Sequence, residues 1–132
     1  MNSYRKRVLI VDGHEKVLIS LEKLLEDNGY CTTTSWTATD ALRFLRSSDY
    51  DMILVSEYLP DGTFEDLLRA ARKRNADTQC IITQGNAKGM RSDDHFKVLG
   101  ASAVVCKYEQ QSILDTLRRV MSPAWKRDTS VA

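Results

Sequence analysis

The chain has 132 residues, enough for one domain with a single good core. At 42% hydrophobic and 28% charged, with six Gly and two Pro, its composition excludes a disordered or fibrous chain. A formal net charge of +1 gives no overall field to attract nucleic acid or an acidic surface.

Along the chain, short apolar runs alternate with helical stripes. The cluster Arg5-Lys6-Arg7 reads as a solvated lead-in to a first strand, VLIV, at 8–11. The opening MNSYRKRVLIVDG has no long apolar region of the signal-peptide kind, and no apolar run approaches membrane-spanning length. A cytoplasmic protein without membrane contact is expected. Val17, Leu21, Leu24 and Leu25 form the first helical stripe, and Gly29 stops it. A weaker strand, YCTTT at 30–34, follows. Thr37 with Asp40 caps a second helix that carries Ala38, Leu42 and Leu45. After MILV at 52–55, Thr63 with Asp66 caps a third helix bearing Phe64, Leu67, Leu68 and Ala71. The strand CII at 80–82 leads through the polar segment GNAKGMRSDD (85–94), whose two glycines suggest mobility. A less regular fourth helix spans Met90–Leu99, with Phe96, Val98 and Leu99 near its end and Gly100 as its stop. The strand AVVC at 103–106 precedes a fifth stripe of Ile113, Leu117, Val120 and Met121, which Pro123 ends. Residues 1–122 thus read as one domain, and 123–132 as a linker stub or flexible tail. Cys31, Cys80 and Cys106 fall in or beside strands without metal spacing, so buried free thiols in a reducing cytosol are expected.

Five strands and five helices in strict alternation predict an α/β sandwich around a parallel sheet, whose central strands are continuous apolar runs. Ligand chemistry in such folds lies at the carboxyl ends of the strands, where strand order reverses. Four polar groups fall at those ends: Asp12 after strand one, Ser56 after strand three, Thr83 after strand four and Lys107 after strand five. Asp12-Gly13-His14-Glu15 therefore opens a candidate site closed by Ser56-Glu57, Thr83-Gln84 and Cys106-Lys107-Tyr108. Two-residue alternation turns Glu57 to the other side of the strand from Ser56. Asp61, beside Gly62, reads as a turn residue.

"VLIVDGHEKVLISLEKLLEDNGY", "YDMILVSEYLPDG", "CIITQG" and "GASAVVCK", in that order from about residue 6 to 121, resemble a receiver domain, the response-regulator module of two-component signalling. The resemblance implies a three-layer (βα)5 flavodoxin-like fold with the parallel sheet in the order 2-1-3-4-5. In that family a sensor kinase passes a phosphoryl group from His to an Asp at the end of strand three. Two acidic residues after strand one hold Mg²⁺, a Thr or Ser after strand four binds phosphoryl oxygens, and a Lys after strand five completes the pocket.

Carried over residue by residue, half the pattern is kept. Asp12 matches the first acidic residue, but Gly13 stands where the second belongs. Ser56 stands at the acceptor position, five residues after Asp51. Thr83 and Lys107 match the hydroxyl and the ammonium. Tyr108 replaces the family's proline, and Val104 replaces the aromatic that often swings on activation. The resemblance thus implies a degenerate phospho-acceptor pocket of Asp12, Gly13, Ser56, Thr83 and Lys107. It also implies a partner or dimer face on helix four, strand five and helix five, here Lys97, Val104, Tyr108 and Arg118.

The losses have physical consequences. Mg²⁺ is a hard cation that wants carboxylate oxygens, so with Asp12 alone its binding should be lost or weak. His14 suits softer metals, and Glu15 is better explained as the start of the first helix. No cofactor is expected. A serine hydroxyl, unlike an aspartate, needs a general base before it can attack. Asp12 and Lys107 can instead neutralise each other, giving with Ser56 and Thr83 a fixed hydrogen-bonded plug. Ser56→Asp should not restore phosphorylation unless Gly13→Asp is added. A trans Lys107–Tyr108 bond is expected, since a cis bond without proline costs several kcal/mol.

The expected function is a phosphorylation-independent signalling module, not an enzyme, that acts by protein contact. Its partner would be a sensor kinase, another response regulator or a fused output domain, with a homodimer possible and no nucleic acid bound by this domain. Alternatives are a receiver phosphorylated at an unusual acceptor, or a hydrolase using Ser56 and Lys107. The hydrolase lacks a nucleophile elbow around Ser56. A flavin mononucleotide carrier would need a phosphate loop where GHEK stands.

Overall fold

Every residue of the strand Met52–Ser56 is buried, which places it at the centre of a sheet covered on both faces. A computed structural model of the chain describes residues 5–85 and 93–122. Its elements in order are β1 (Arg7–Val11), α1 (Glu15–Asp27), β2 (Cys31–Ser35), α2 (Ala38–Ser47), β3 (Met52–Ser56), α3 (Phe64–Arg74), β4 (Gln79–Gln84), α4 (Asp93–Val98), β5 (Ala103–Cys106) and α5 (Gln110–Met121). All strand pairs are parallel, in the order β2-β1-β3-β4-β5. This is the expected fold. The order reverses between β1 and β3, so the crevice opens at the carboxyl ends of those two strands.

Alternating residues feed two cores. Leu9, Val11, Ile53, Val55 and Ile82 pack with α2, α3 and Phe96 of α4. Val8, Ile10, Met52, Leu54 and Ile81 pack with α1 and α5 on the other face. Burying one such aliphatic side chain contributes roughly 1.5–3 kcal/mol, so these two layers dominate stability.

The caps follow the sequence. Thr37 accepts the Asp40 N–H at 3.1 Å, and Thr63 accepts the Asp66 N–H at 3.3 Å. Gly29 and Gly100 take positive φ, 91° and 109°, where a side chain would be strained. The open edge at β2 is partly covered by Glu26, whose Oε1 accepts the Thr32 N–H at 3.2 Å and its hydroxyl at 2.7 Å.

Some expectations need correction. Cys80 alone of the three thiols is buried, and burial pushes its pKa up. Cys31 is exposed because β2 is an edge strand, and Cys106 is half-buried at the opposite edge. Val98 is 85% exposed at the last turn of α4, so Phe96 alone carries the apolar anchor of that helix. In α1, Leu18 is buried while Leu24 is only partly so. The tail 123–132 and most of the segment 85–94 lie outside the described residues. Among the described residues no helix is long and apolar enough to cross a membrane.

Candidate functional site

The carboxyl ends of β1, β3 and β5 bring three of the predicted side chains together. Asp12 follows β1, where its N–H donates to the Ser35 carbonyl at 3.1 Å and fixes the start of the loop. Its carboxylate is 1% exposed, and the Lys107 side chain is 7% exposed. Lys107 Nζ donates to Asp12 Oδ2 at 2.7 Å and lies 3.4 Å from Ser56 Oγ. The other oxygen, Oδ1, accepts the His14 N–H at 2.8 Å and faces His14 Nδ1 at 3.2 Å. A buried carboxylate is thus matched on both oxygens, as burial of a charge requires.

Ser56 Oγ also accepts the Tyr58 N–H, at 3.4 Å. Both of its contacts are long, so the hydroxyl is held more by packing than by strong bonds. Thr83 lies directly opposite Ser56 in the β3–β4 register and is 1% exposed. Among the described residues its hydroxyl makes no hydrogen bond to Ser56 or Lys107. The connected cluster is therefore Asp12, His14, Lys107 and Ser56. Thr83 contributes its carbonyl, which accepts the Glu57 N–H at 3.0 Å.

Alternation puts Glu57 and Gln84 on the opposite sheet face, where the Gln84 amide donates to the Glu57 carboxylate. Gln84 Oε1 is buried without a partner among the described residues. Gly13 is exposed, and a Cβ there would first meet the Trp36 carbonyl oxygen at 3.9 Å, an ordinary contact. Nothing steric forbids a carboxylate at Gly13.

The donor set fits a hard dication poorly. Among the described residues one carboxylate is available, and an ammonium already sits on it at 2.7 Å. Among the described residues no group of three or more His, Cys, Asp or Glu could hold a metal. Among the described residues Ser56 Oγ meets no free base: Lys107 Nζ, 3.4 Å away, is engaged by Asp12, and both Asp12 oxygens are occupied.

Asp61 is more than a turn residue. Its carboxylate accepts the Ala38 N–H at 2.8 Å, the Thr39 N–H at 3.0 Å and the Thr39 hydroxyl at 2.7 Å. The Thr39 hydroxyl first, then these backbone donors, hold its pKa below the ordinary carboxylate value. The β3–α3 loop is thereby strapped to the start of α2. The approach is close enough that a Cβ at Gly62 would lie 2.7 Å from the Ala38 Cβ.

On the predicted partner face, Lys97 and Arg118 are exposed, and Val104 is half-buried against the core. Arg118 lies 3.7 Å from Asp115 on its own helix. Tyr108 is 67% exposed, and no described peptide bond is cis, so Lys107–Tyr108 is trans. With His14, Lys16 and Lys107, Tyr108 lines a cavity of about 360 Å³ beside the buried pair. His14 and Asp61 were the contributions hardest to see in sequence. Each acts through a loop contact that carries no periodic signal.

The model of the response regulator receiver domain matches residues 8–118. The chain belongs to the receiver-domain family. The transcriptional regulatory protein DltR of Streptococcus agalactiae is 25% identical over 117 residues, covering 85% of this chain and 50% of DltR. The cell cycle transcriptional regulator CtrA of Caulobacter vibrioides is 27% identical over 82 residues, covering 62% of this chain and 36% of CtrA. The chain thus spans about half of DltR and a third of CtrA. A CheY-like receiver domain from Methanospirillum hungatei superposes with a TM-score of 0.75 at 27% identity, covering 88% of this chain and 93% of that one. The signal receiver domain of a LuxO-type repressor protein from Vibrio parahaemolyticus gives 0.78 at 22% identity, covering 98% and 99%, and shows the fold alone. The receiver domain is the regulatory module of two-component signalling, and its relatives are regulators rather than enzymes.

Proposed function

We propose that this receiver signals without aspartyl phosphate and without Mg²⁺, through protein contacts, with its pocket held in one conformation. The carrying observation is the buried pair: Lys107 Nζ lies 2.7 Å from Asp12 Oδ2 and 3.4 Å from Ser56 Oγ. Lys107 thereby occupies the negative charge that a metal would need, and it neutralises Asp12 without one. Ser56 sits where the family keeps its acceptor, and among the described residues its hydroxyl meets no free base to take its proton. Asp12, Gly13, Ser56, Thr83 and Lys107 are thus a relict pocket whose role is structural.

The partner is a protein: a sensor kinase, another response regulator or an output domain. The names of DltR and CtrA, regulators of transcription, favour an output of that kind. The domain works in the cytoplasm, binds no nucleic acid itself and contacts partners or a second copy through the face bearing Lys97, Val104, Tyr108 and Arg118.

Thermal melting with and without millimolar Mg²⁺ tests the pocket. A ligand that binds only the folded state raises Tm by mass action. The expected result is no change, and a clear rise with Mg²⁺ would overturn the reading.

A further inference from the structure

A second surface lies away from the pocket, between α2 and α3, which pack side by side on one face of the sheet. A cavity of about 430 Å³ runs between them, floored by Leu42 and Ala70, both only partly buried. Its rim carries four cations, Arg46, Arg69, Lys73 and Arg74, against one anion, Asp66. Two of the four are already paired, Arg69 with Asp66 at 3.3 Å and Arg74 with Asp49 at 3.0 Å. Arg46 and Lys73 are exposed and have no acidic partner among the described residues. Both stand near the carboxyl ends of their helices, where cations complement the helix dipole. Dipole complementarity accounts for cations at helix ends. It does not account for an apolar floor left open between two of them.

We propose that this groove docks an acidic amphipathic helix of a partner protein, its apolar face on Leu42 and Ala70 and its carboxylates against Arg46 and Lys73. Charge complementarity selects the partner. The groove is locally basic in a chain whose net charge is only +1, so the field is confined to the rim. A polyanion such as duplex DNA would draw on a broad basic surface and gain nothing from the apolar floor. A helix with one apolar and one acidic face uses both parts. The surface is distinct from the face bearing Lys97 and Tyr108, and docking here does not depend on the state of the Asp12 pocket.

The probe is a fluorescently labelled helical peptide with Leu on one face and Glu on the other, titrated by anisotropy at low salt. Wild type should bind saturably, and the binding should weaken as salt rises. Arg46→Glu with Lys73→Glu should weaken it about tenfold or more, since opposing charges become like charges. Lys16→Glu with Lys23→Glu makes the same charge change on α1, away from the groove, and should leave binding within about twofold of wild type. Amide shifts on the wild-type protein should cluster in α2 and α3, which keeps the test decisive if the reversed variant is unstable. Absence of saturable binding overturns the proposal. So does equal binding of a sequence-scrambled peptide, tighter binding of duplex DNA, or shifts confined to α4, β5 and α5.

Discussion

Two carboxylates hold loops at the same end of the sheet, and they do so in opposite environments. Asp12 is 1% exposed and is matched by Lys107 across 95 residues of sequence. Asp61 is exposed and is matched by the first N–H groups of α2 and by the Thr39 hydroxyl. The buried pair is conditional, because each partner is tolerable only while the other is present. The exposed strap is a local bond network screened by water, and losing it leaves no stranded charge. The buried pair should therefore tolerate single substitutions less well than the loop beside it. The loop beside it is held by bonds that can be given up cheaply.

The largest expected effect comes from splitting the buried pair. Lys107→Met leaves a buried carboxylate with His14 as its sole remaining partner among the described residues and should cost about 3–5 kcal/mol in urea unfolding. Adding Asp12→Asn should recover much of that loss. Additive effects of the two substitutions would show that the pair is not coupled.

Rebuilding the pocket comes next. Gly13→Asp with Ser56→Asp restores two carboxylates at positions where the backbone leaves room, as the 3.9 Å distance from a Cβ at Gly13 to the nearest atom shows for the first. The double variant should gain Mg²⁺-dependent stability of about 2.7 kcal/mol at a hundredfold excess over Kd, seen as a rise in Tm, while Ser56→Asp alone should not. A rise in the single variant would mean that Gly13 is not the missing ligand.

Ser56→Ala is a smaller perturbation. It removes two contacts of 3.4 Å and should cost under about 1 kcal/mol, with no change in any binding activity. A loss of several kcal/mol would place Ser56 among the groups on which the buried pair depends.

The smallest effect belongs to Asp61 and is best seen in its pH dependence. Its folded pKa is lowered from an ordinary value of 3.8, first by the Thr39 hydroxyl. The stabilisation is therefore present in full above that ordinary value, and it is lost as pH falls through the folded pKa. The stability gap between wild type and Asp61→Asn should be constant near neutrality and close in acid. A gap that widens in acid would reverse the sign.

Most of the fold was legible because its signals are local. The apolar runs at 8–11 and 52–55, the Thr37 and Thr63 caps and Gly29 each report on neighbouring residues. The convergence of Asp12, Ser56 and Lys107 was legible because parallel topology puts strand ends together. The misread features depend on other facts. Cys31 looked buried because a strand residue next to apolar ones resembles a core residue, and only the sheet order reveals an edge. Asp61 reaches Ala38 across 23 residues, a pairing that no periodicity encodes. Thr83 was expected to join the plug through its hydroxyl, but its position opposite Ser56 fixes the backbone and leaves that bond unmade.

In the proposed function the Asp12–Lys107 pair stands in place of phosphate and metal. Incubation of wild type with acetyl phosphate and Mg²⁺, followed by intact mass measurement, tests it most directly. An unchanged mass is expected, with the pocket closed to phosphoryl transfer. A mass increased by one phosphoryl group, mapped to Ser56 or any other pocket residue, would contradict it.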